Sequence, residues 1–253
     1  MNIFRQFWYS LYSPKTISKF RLQKIGKTIL YLFVLAILYT LPGFFSFQKA
    51  VHVQVNNFTQ LINDNIHSIS LEKGNLTIND NKSFEKKVGN FHYAFYPSET
   101  TIPDKISNEK NAVYILRNKV VFKTINSEQV YPYPKLKSKE INKTDVTKFI
   151  NNINQALPAF LVALFFLFYV GSCFFIFVVA TILTIIAGLF GKGKNLPFRQ
   201  RFAMVSYSLT LPTILFLLSG IFYLKIPFIT TLFILLTALM YFLTLRALPS
   251  KKG

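Results

Sequence analysis

Acidic residues are missing from both ends of this 253-residue chain. All ten Asp and Glu lie between Asp64 and Asp145, whereas 1–47 and 191–253 carry only Lys and Arg. Cysteine is nearly absent too. The lone Cys173 excludes an intrachain disulfide and reads as a packing residue inside an apolar stretch. Histidine is scarce: His52, His67 and His92 stand 15 and 25 residues apart, unlike the clustered spacing of metal ligands, and read as ordinary polar residues. No G-x-S-x-G, H-E-x-x-H or C-x-x-C occurs. "GLFGKGKN" at 188–195 lacks the spacing of a phosphate loop and follows an apolar run rather than a strand. These absences point away from an enzyme and toward a chain with no cofactor, no metal and no catalytic residues.

Charge of either sign is sparse as well, at 15% of residues against the roughly 25% usual in soluble domains. Hydrophobic residues make up 51% and aromatics 17%, including 28 Phe. The apolar residues gather in four uncharged stretches, 28–47, 156–190, 202–224 and 226–245. A bilayer core of about 30 Å needs about 20 apolar residues as a helix, so each qualifies as a crossing. The net charge of +19 could suggest nucleic acid, but no separate basic domain exists to bind it. The basic residues flank the apolar stretches, which is the positive-inside pattern.

Topology follows from that pattern. Lys15, Lys19, Arg21, Lys24 and Lys27, with Arg5, precede the first crossing and place 1–27 in the cytoplasm. The first apolar run is too long for a signal peptide and lacks a good cleavage site, so it reads as an uncleaved anchor. Lys192, Lys194, Arg199 and Arg201 place the loop 191–201 inside, and Arg246, Lys251 and Lys252 do the same for the tail 246–253. Lys225, between crossings three and four, falls outside. Four crossings satisfy all of these and leave 48–155 extracytoplasmic. Stretch 156–190 is long for one crossing. Read as one helix, it must protrude or bend near Gly171-Ser172. Pro212 lies inside the third crossing and is expected to kink it, with Ser208 or Thr210 satisfying the freed carbonyls. No acid or isolated base lies deep in a crossing, where an ion pathway would show itself. Ahead of the first crossing, Phe4, Phe7, Trp8 and Leu11 at helical spacing suggest a short helix in the headgroup layer, the alternative being a flexible tail. Ser13-Pro14 reads as N-cap and first position of a restarted helix.

Between the first two crossings the chain turns polar. "SISLEKGNLTIND" sets Ile69 and Leu71 opposite Leu76 and Ile78 around Lys73-Gly74, a hairpin signal. Phe91, Tyr93 and Phe95 share one strand face, and "NAVYILRNKVVFKTIN" reads as a second hairpin turning near Asn118-Lys119. "NNFTQLINDNI" before and "KTDVTKFINNINQALP" after look helical. The expected fold is therefore an α-helical polytopic membrane protein with four transmembrane helices and a small α+β extracytoplasmic domain between helices 1 and 2. That domain is expected to carry its own core, including Phe122, and to fold as a fragment of about 56–145.

"FWYSLYSPKTISKFRLQKIGKTILY", the segment "LEKGNLTIND…FHYAFYP…NAVYILRNKVVFKT" and "FRQRFAMVSYSLTLPTILF" together resemble a family of membrane proteins from low-GC Gram-positive bacteria, domain of unknown function 1189. The final segment also looks like the Yip1-type membrane architecture. The resemblance covers nearly the whole chain and implies the same topology, with a maltodextrin-utilisation label carried by some members and no catalytic residues. Two functions remain open: a non-enzymatic protein whose exported domain binds a ligand or partner, such as a transporter, accessory to sugar uptake; or a transport or channel subunit built from the four helices. Polar residues facing each other within the bundle favour the second.

Overall fold

The computed structural model describes residues 2–66, 68–78, 82–88, 91–133, 143–189, 195–222, 224 and 226–249. His67, Lys192, Lys194, Lys225, Lys251 and Lys252 lie outside the described residues. The chain divides into two compact units, Met1–Lys49 with Phe160–Gly253, and Ala50–Ala159.

The first unit is helical. Helices α1 (Ile3–Tyr12) and α2 (Pro14–Phe20) precede α3 (Ile25–Asn65), and α4 (Lys143–Ala187), α5 (Phe198–Ser208), α6 (Thr210–Ile221) and α7 (Ile229–Arg246) follow. At about 1.5 Å per residue, α3 and α4 are about 60 and 70 Å long, and each contributes its ends to different units. Four helical segments are long and apolar enough to cross a membrane: Ile25–Asp64, Thr144–Ala187, Phe198–Ile221 and Ile229–Arg246. Helix α4 is continuous, with Pro158, Gly171 and Ser172 all inside it.

The third segment passes through Pro212, the third residue of α6. Leu209, between α5 and α6, keeps right-handed helical dihedrals (φ −67°, ψ −15°), and helical bonds run on both sides of it, from Leu209 N to Val205 O and from Thr213 N to Leu209 O. Proline removes one N–H and crowds the turn before it. Around this junction, hydroxyls take carbonyls of their own turn: Ser208 Oγ donates to Met204 O at 2.8 Å, Thr210 Oγ1 to Tyr207 O at 2.7 Å and Thr213 Oγ1 to Leu209 O at 2.7 Å. All of Phe202–Ser208 is buried, so α5 forms the centre of the bundle despite its modest hydropathy. Tyr39 joins four helices, its ring centroid 4.4 Å from Phe216, 5.2 Å from Phe175 and 5.4 Å from Phe233.

The N-terminal helices are part of this bundle. Ser13 caps α2, accepting from Thr16 N at 3.3 Å, with Pro14 at the first position. Ile17, Ser18 and Phe20 of α2 are buried. Helix α1 buries its polar face, Gln6 and Ser10, and exposes Phe4, Trp8 and Tyr12. Of the residues expected to make its apolar face, Trp8 is outward, whereas Phe7 packs against the core.

The second unit is built on a five-stranded sheet, β3 (Phe84–Val88), β4 (Phe91–Tyr96), β5 (Ala112–Leu116), β6 (Lys119–Thr124) and β7 (Ser127–Pro132), in that spatial order. Strands β4 and β5 pair in parallel and the others antiparallel. A separate hairpin, β1 (Ile69–Glu72) and β2 (Asn75–Ile78), pairs Ile69 with Ile78 and Leu71 with Leu76. Its turn needs positive φ at Lys73 (51°) and Gly74 (80°), which glycine adopts without cost. One core packs Tyr93, Phe95 and Val113 against the hairpin, against Leu61 and Ile62 of α3 with Ile66 just beyond it, and against Ile150 of α4. The other sheet face carries a second core of Ala94, Ile106, Ala112, Tyr114, Leu116 and Val121. Phe122, expected in the core, is 44% exposed, lying toward the edge of the sheet with its ring against Tyr131 of the outermost strand.

Candidate functional site

Parallel strands cannot be joined by a tight turn; they need a crossover of a dozen or so residues. Here residues 97–111 make that crossover, with one 3-10 turn at Asp104–Ile106. Three contacts hold it on the second core. Ile106 is buried, Tyr114 Oη donates to Ile106 O at 2.6 Å, and Lys123 Nζ donates to Ser107 O. At its end, His92 N donates to Asn111 O at 2.9 Å.

Strand alternation puts Glu85 and Lys87 of β3 on the face that the crossover covers, whereas Phe84 stacks on Phe95 across the other face at 4.3 Å. His92 lies directly opposite Lys87 and is 8% exposed. Its Nε2 is 3.1 Å from Glu85 Oε2. Its Nδ1 is 3.6 Å from Glu109 Oε1, an electrostatic approach that falls short of a hydrogen bond. Glu109 also lies 3.6 Å from Lys87 Nζ. Tyr96 Oη donates to Glu85, and that carboxylate pushes the phenol up to about 12, because a neighbouring negative charge opposes formation of phenolate. Both ring nitrogens of His92 thus face carboxylates. It is placed to hold the crossover against the sheet, not to deprotonate a nucleophile.

Beside this clasp the crossover and the edge strand enclose an open cleft of about 460 Å³, lined by Lys87, Lys105, Asn108, Glu109, Lys110 and Asn111. Three lysines and two asparagines line it beside one carboxylate, Glu109, which is already paired with Lys87. The cleft suits a carboxylate- or phosphate-bearing partner. It presents no aromatic face for a neutral sugar ring. His52 lies exposed on α3, far along the sequence from the clasp. No group of three or more His, Cys, Asp or Glu that could hold a metal ion occurs among the described residues.

The first unit carries a polar cluster inside its helices. Tyr207 Oη donates toward Gln6 Oε1 at 2.8 Å and Gln23 Oε1 at 3.1 Å, and Gln6 Nε2 donates to Gln23 Oε1 at 3.1 Å. The Tyr31 ring lies tilted against that of Tyr207, centroids 4.3 Å apart, and its hydroxyl shares a 2.5 Å hydrogen bond with Thr210. This cluster fastens α1 and the α2–α3 link to the α5–α6 junction.

A family model described as "Protein of unknown function (DUF1189)" matches residues 4–245. The chain belongs to that family. No curated protein and no solved structure matches it. In this DUF1189 member, Lys15 and Lys19 are exposed on α2, Arg21 is half-buried just after it, and Lys24 and Lys27 are exposed around the start of α3. Arg199 and Arg201 open α5, where Arg199 Nη2 donates to Gln23 O at 2.9 Å. The structure therefore brings one basic segment onto the other. The Lys87–Lys105–Lys110 cleft was not foreseen from the sequence. Its residues are scattered over a charged edge strand and an irregular crossover, and only the parallel pairing of β4 and β5 draws them together.

Proposed function

We propose that this DUF1189 member is a multi-pass protein of the bacterial plasma membrane, without enzymatic activity, whose β-sheet region binds an acidic partner outside the cytoplasm. The crossings are 28–47, 156–190, 202–224 and 226–245, with 1–27, 191–201 and 246–253 cytoplasmic and 48–155 extracytoplasmic. The charge asymmetry of the chain supports this orientation. So does the hydrogen bond from Arg199 to Gln23 O, because it joins two segments that the charges assign to the same side.

The observation that carries the binding reading is the cleft of Lys87, Lys105 and Lys110. An accessory role in sugar uptake, which the maltodextrin label of some family members suggests, then runs through the acidic surface of another membrane protein such as a transporter, rather than through the glucan itself. The test uses the full chain in detergent with two probes, a poly-glutamate peptide and a neutral maltooligosaccharide. The peptide should bind, weaken as salt rises, and be lost in Lys87→Gln/Lys105→Gln/Lys110→Gln. Binding of the neutral sugar alone, untouched by the triple substitution, would sink the reading.

A transport function for the four-helix region is the second reading. The Gln6–Gln23–Tyr207–Tyr31–Thr210 cluster is the polar bundle interior that favours it. The cluster is uncharged and hydrogen-bonded within itself, which suits a fastening better than an ion path. Flux of a labelled maltooligosaccharide into liposomes holding the protein alone would promote this second reading over the first.

A further inference from the structure

The C-terminal end of α4 and the last turns of α7 do not close on one another. Leu183, Ile186 and Ala187 of α4 and Ala238, Tyr241, Phe242 and Leu245 of α7 line a groove of about 190 Å³. It is hollowed by the two alanines and walled almost wholly by hydrocarbon. Drug-sized ligands use pockets of about 300–1,000 Å³, so this space suits something thinner, such as part of one alkyl chain.

Two features make it more than a gap between helices. Tyr241 is 7% exposed, lines the groove, and its hydroxyl has no hydrogen-bond partner. A buried hydroxyl left unpaired is costly to the fold. Two guanidinium groups also stand at the same end. Arg246, the last residue of α7, holds its guanidinium 4.5 Å over the ring of Phe242, itself part of the groove wall. Arg201 lays its guanidinium across Gly188, next to Ala187, in the space a Cβ would occupy, and is close enough to Tyr241 to interact with it electrostatically. Only glycine at 188 leaves that position open to Arg201.

An apolar slot with two cations at its mouth is complementary to an anionic amphiphile. We propose that this groove is a binding site for an anionic phospholipid, one acyl chain lying along Ala187 and Ala238 and the phosphate meeting Arg201 and Arg246, with the Tyr241 hydroxyl as a further donor. The two basic residues belong to segments assigned to the cytoplasmic side, where basic pockets between helices bind acidic headgroups. The inference rests on the membrane reading given above. That reading is tested separately, by whether alkaline carbonate releases the chain from native membranes.

The experiment is native mass spectrometry of the full chain taken from nanodiscs of mixed phosphatidylcholine and phosphatidylglycerol. Wild type should retain one phosphatidylglycerol in preference to phosphatidylcholine. In Arg201→Gln/Arg246→Gln the preference should fall roughly thirtyfold, two cationic contacts being worth about 2 kcal/mol. The Arg201→Lys/Arg246→Lys chain should recover most of it. Ala238→Trp fills the slot and should abolish retention with both arginines intact. Tyr241→Phe should raise the melting temperature of the lipid-free protein while weakening retention. Equal phosphatidylglycerol retention by wild type, the Gln pair and Ala238→Trp would overturn the proposal. So would a chain that stays membrane-embedded yet shows no preference for the anionic lipid.

Discussion

Tyr207 shows how much one hydroxyl can organise. It meets both glutamine carbonyls, Gln6 and Gln23, within 3.1 Å and its ring packs at a tilt against Tyr31. Tyr207→Phe keeps the ring and removes the donor, and should destabilise the protein by about 1 kcal/mol, within the range of hydrogen bonds between membrane helices. A thermal melt in detergent checks this, and an unchanged melting temperature would remove the cluster from the account of stability. Tyr96 offers a second residue-scale test. Glu85 holds its folded value up at about 12, against 10.0 for a free phenol. A group whose pKa rises on folding contributes stability that is present below its unfolded value and is lost as pH climbs through the folded one, here the window from about 10 to about 12. The difference in tyrosinate absorbance between wild type and Tyr96→Phe should show late ionisation, and Glu85→Gln should move it earlier. His92 illustrates why sequence reading stopped short at this scale. Scarce, unclustered histidines read as surface residues, yet His92 is buried between Glu85 and Glu109, one of which arrives from a crossover with no periodicity to announce it.

At the scale of elements, legibility tracked burial. The β1–β2 hairpin was readable because alternating apolar residues flank a Lys-Gly turn, and its observed register pairs the same residues. Strand β7 was not readable, because every residue of Ser127–Pro132 is exposed and so carries no inside–outside alternation. Strand β3 was hidden by Glu85, Lys86 and Lys87, charges that suit an edge strand. For α1, a helix was legible from its greasy residues, but not that Phe7 would pack inward or that Gln6 and Ser10 would be buried. The same reasoning sharpens the fragment that should fold alone. The expected span of 56–145 cuts away Val146 and Ile150, which pack in the core with Leu61, Ile62 and Ile66. A fragment of 50–159 should therefore melt cooperatively by circular dichroism, whereas 56–145 should melt at least several degrees lower, since losing a buried Ile costs about 2–5 kcal/mol. Two non-cooperative fragments would mean that the sheet depends on the helical unit for its fold.

For the whole molecule, charge and length decided most of what could be read. Four long apolar segments were visible in composition alone and recur as four helical segments. How the third segment passes Pro212, and the unbroken course of α4 past Gly171, were settled only by packing. Orientation has its own test. In a Cys173→Ser background, Asn126→Cys should react with an impermeant maleimide on intact cells and Asn195→Cys should not; the reverse pattern would invert the topology. The cluster around Tyr207 also sets a timetable. Gln6 and Tyr207 are 201 residues apart in the chain, and a ribosome adding about 5–20 residues per second separates their synthesis by about 10–40 s. Helix α1 is among the first segments made, and Gln6 can meet Gln23 only 17 residues later, but the hydroxyl of Tyr207 arrives when most of the protein has been translated. The contact that fastens α1 to α5 is therefore among the last to form, long after the aromatic row of Phe4, Trp8 and Tyr12 that stays exposed in the finished fold has been made.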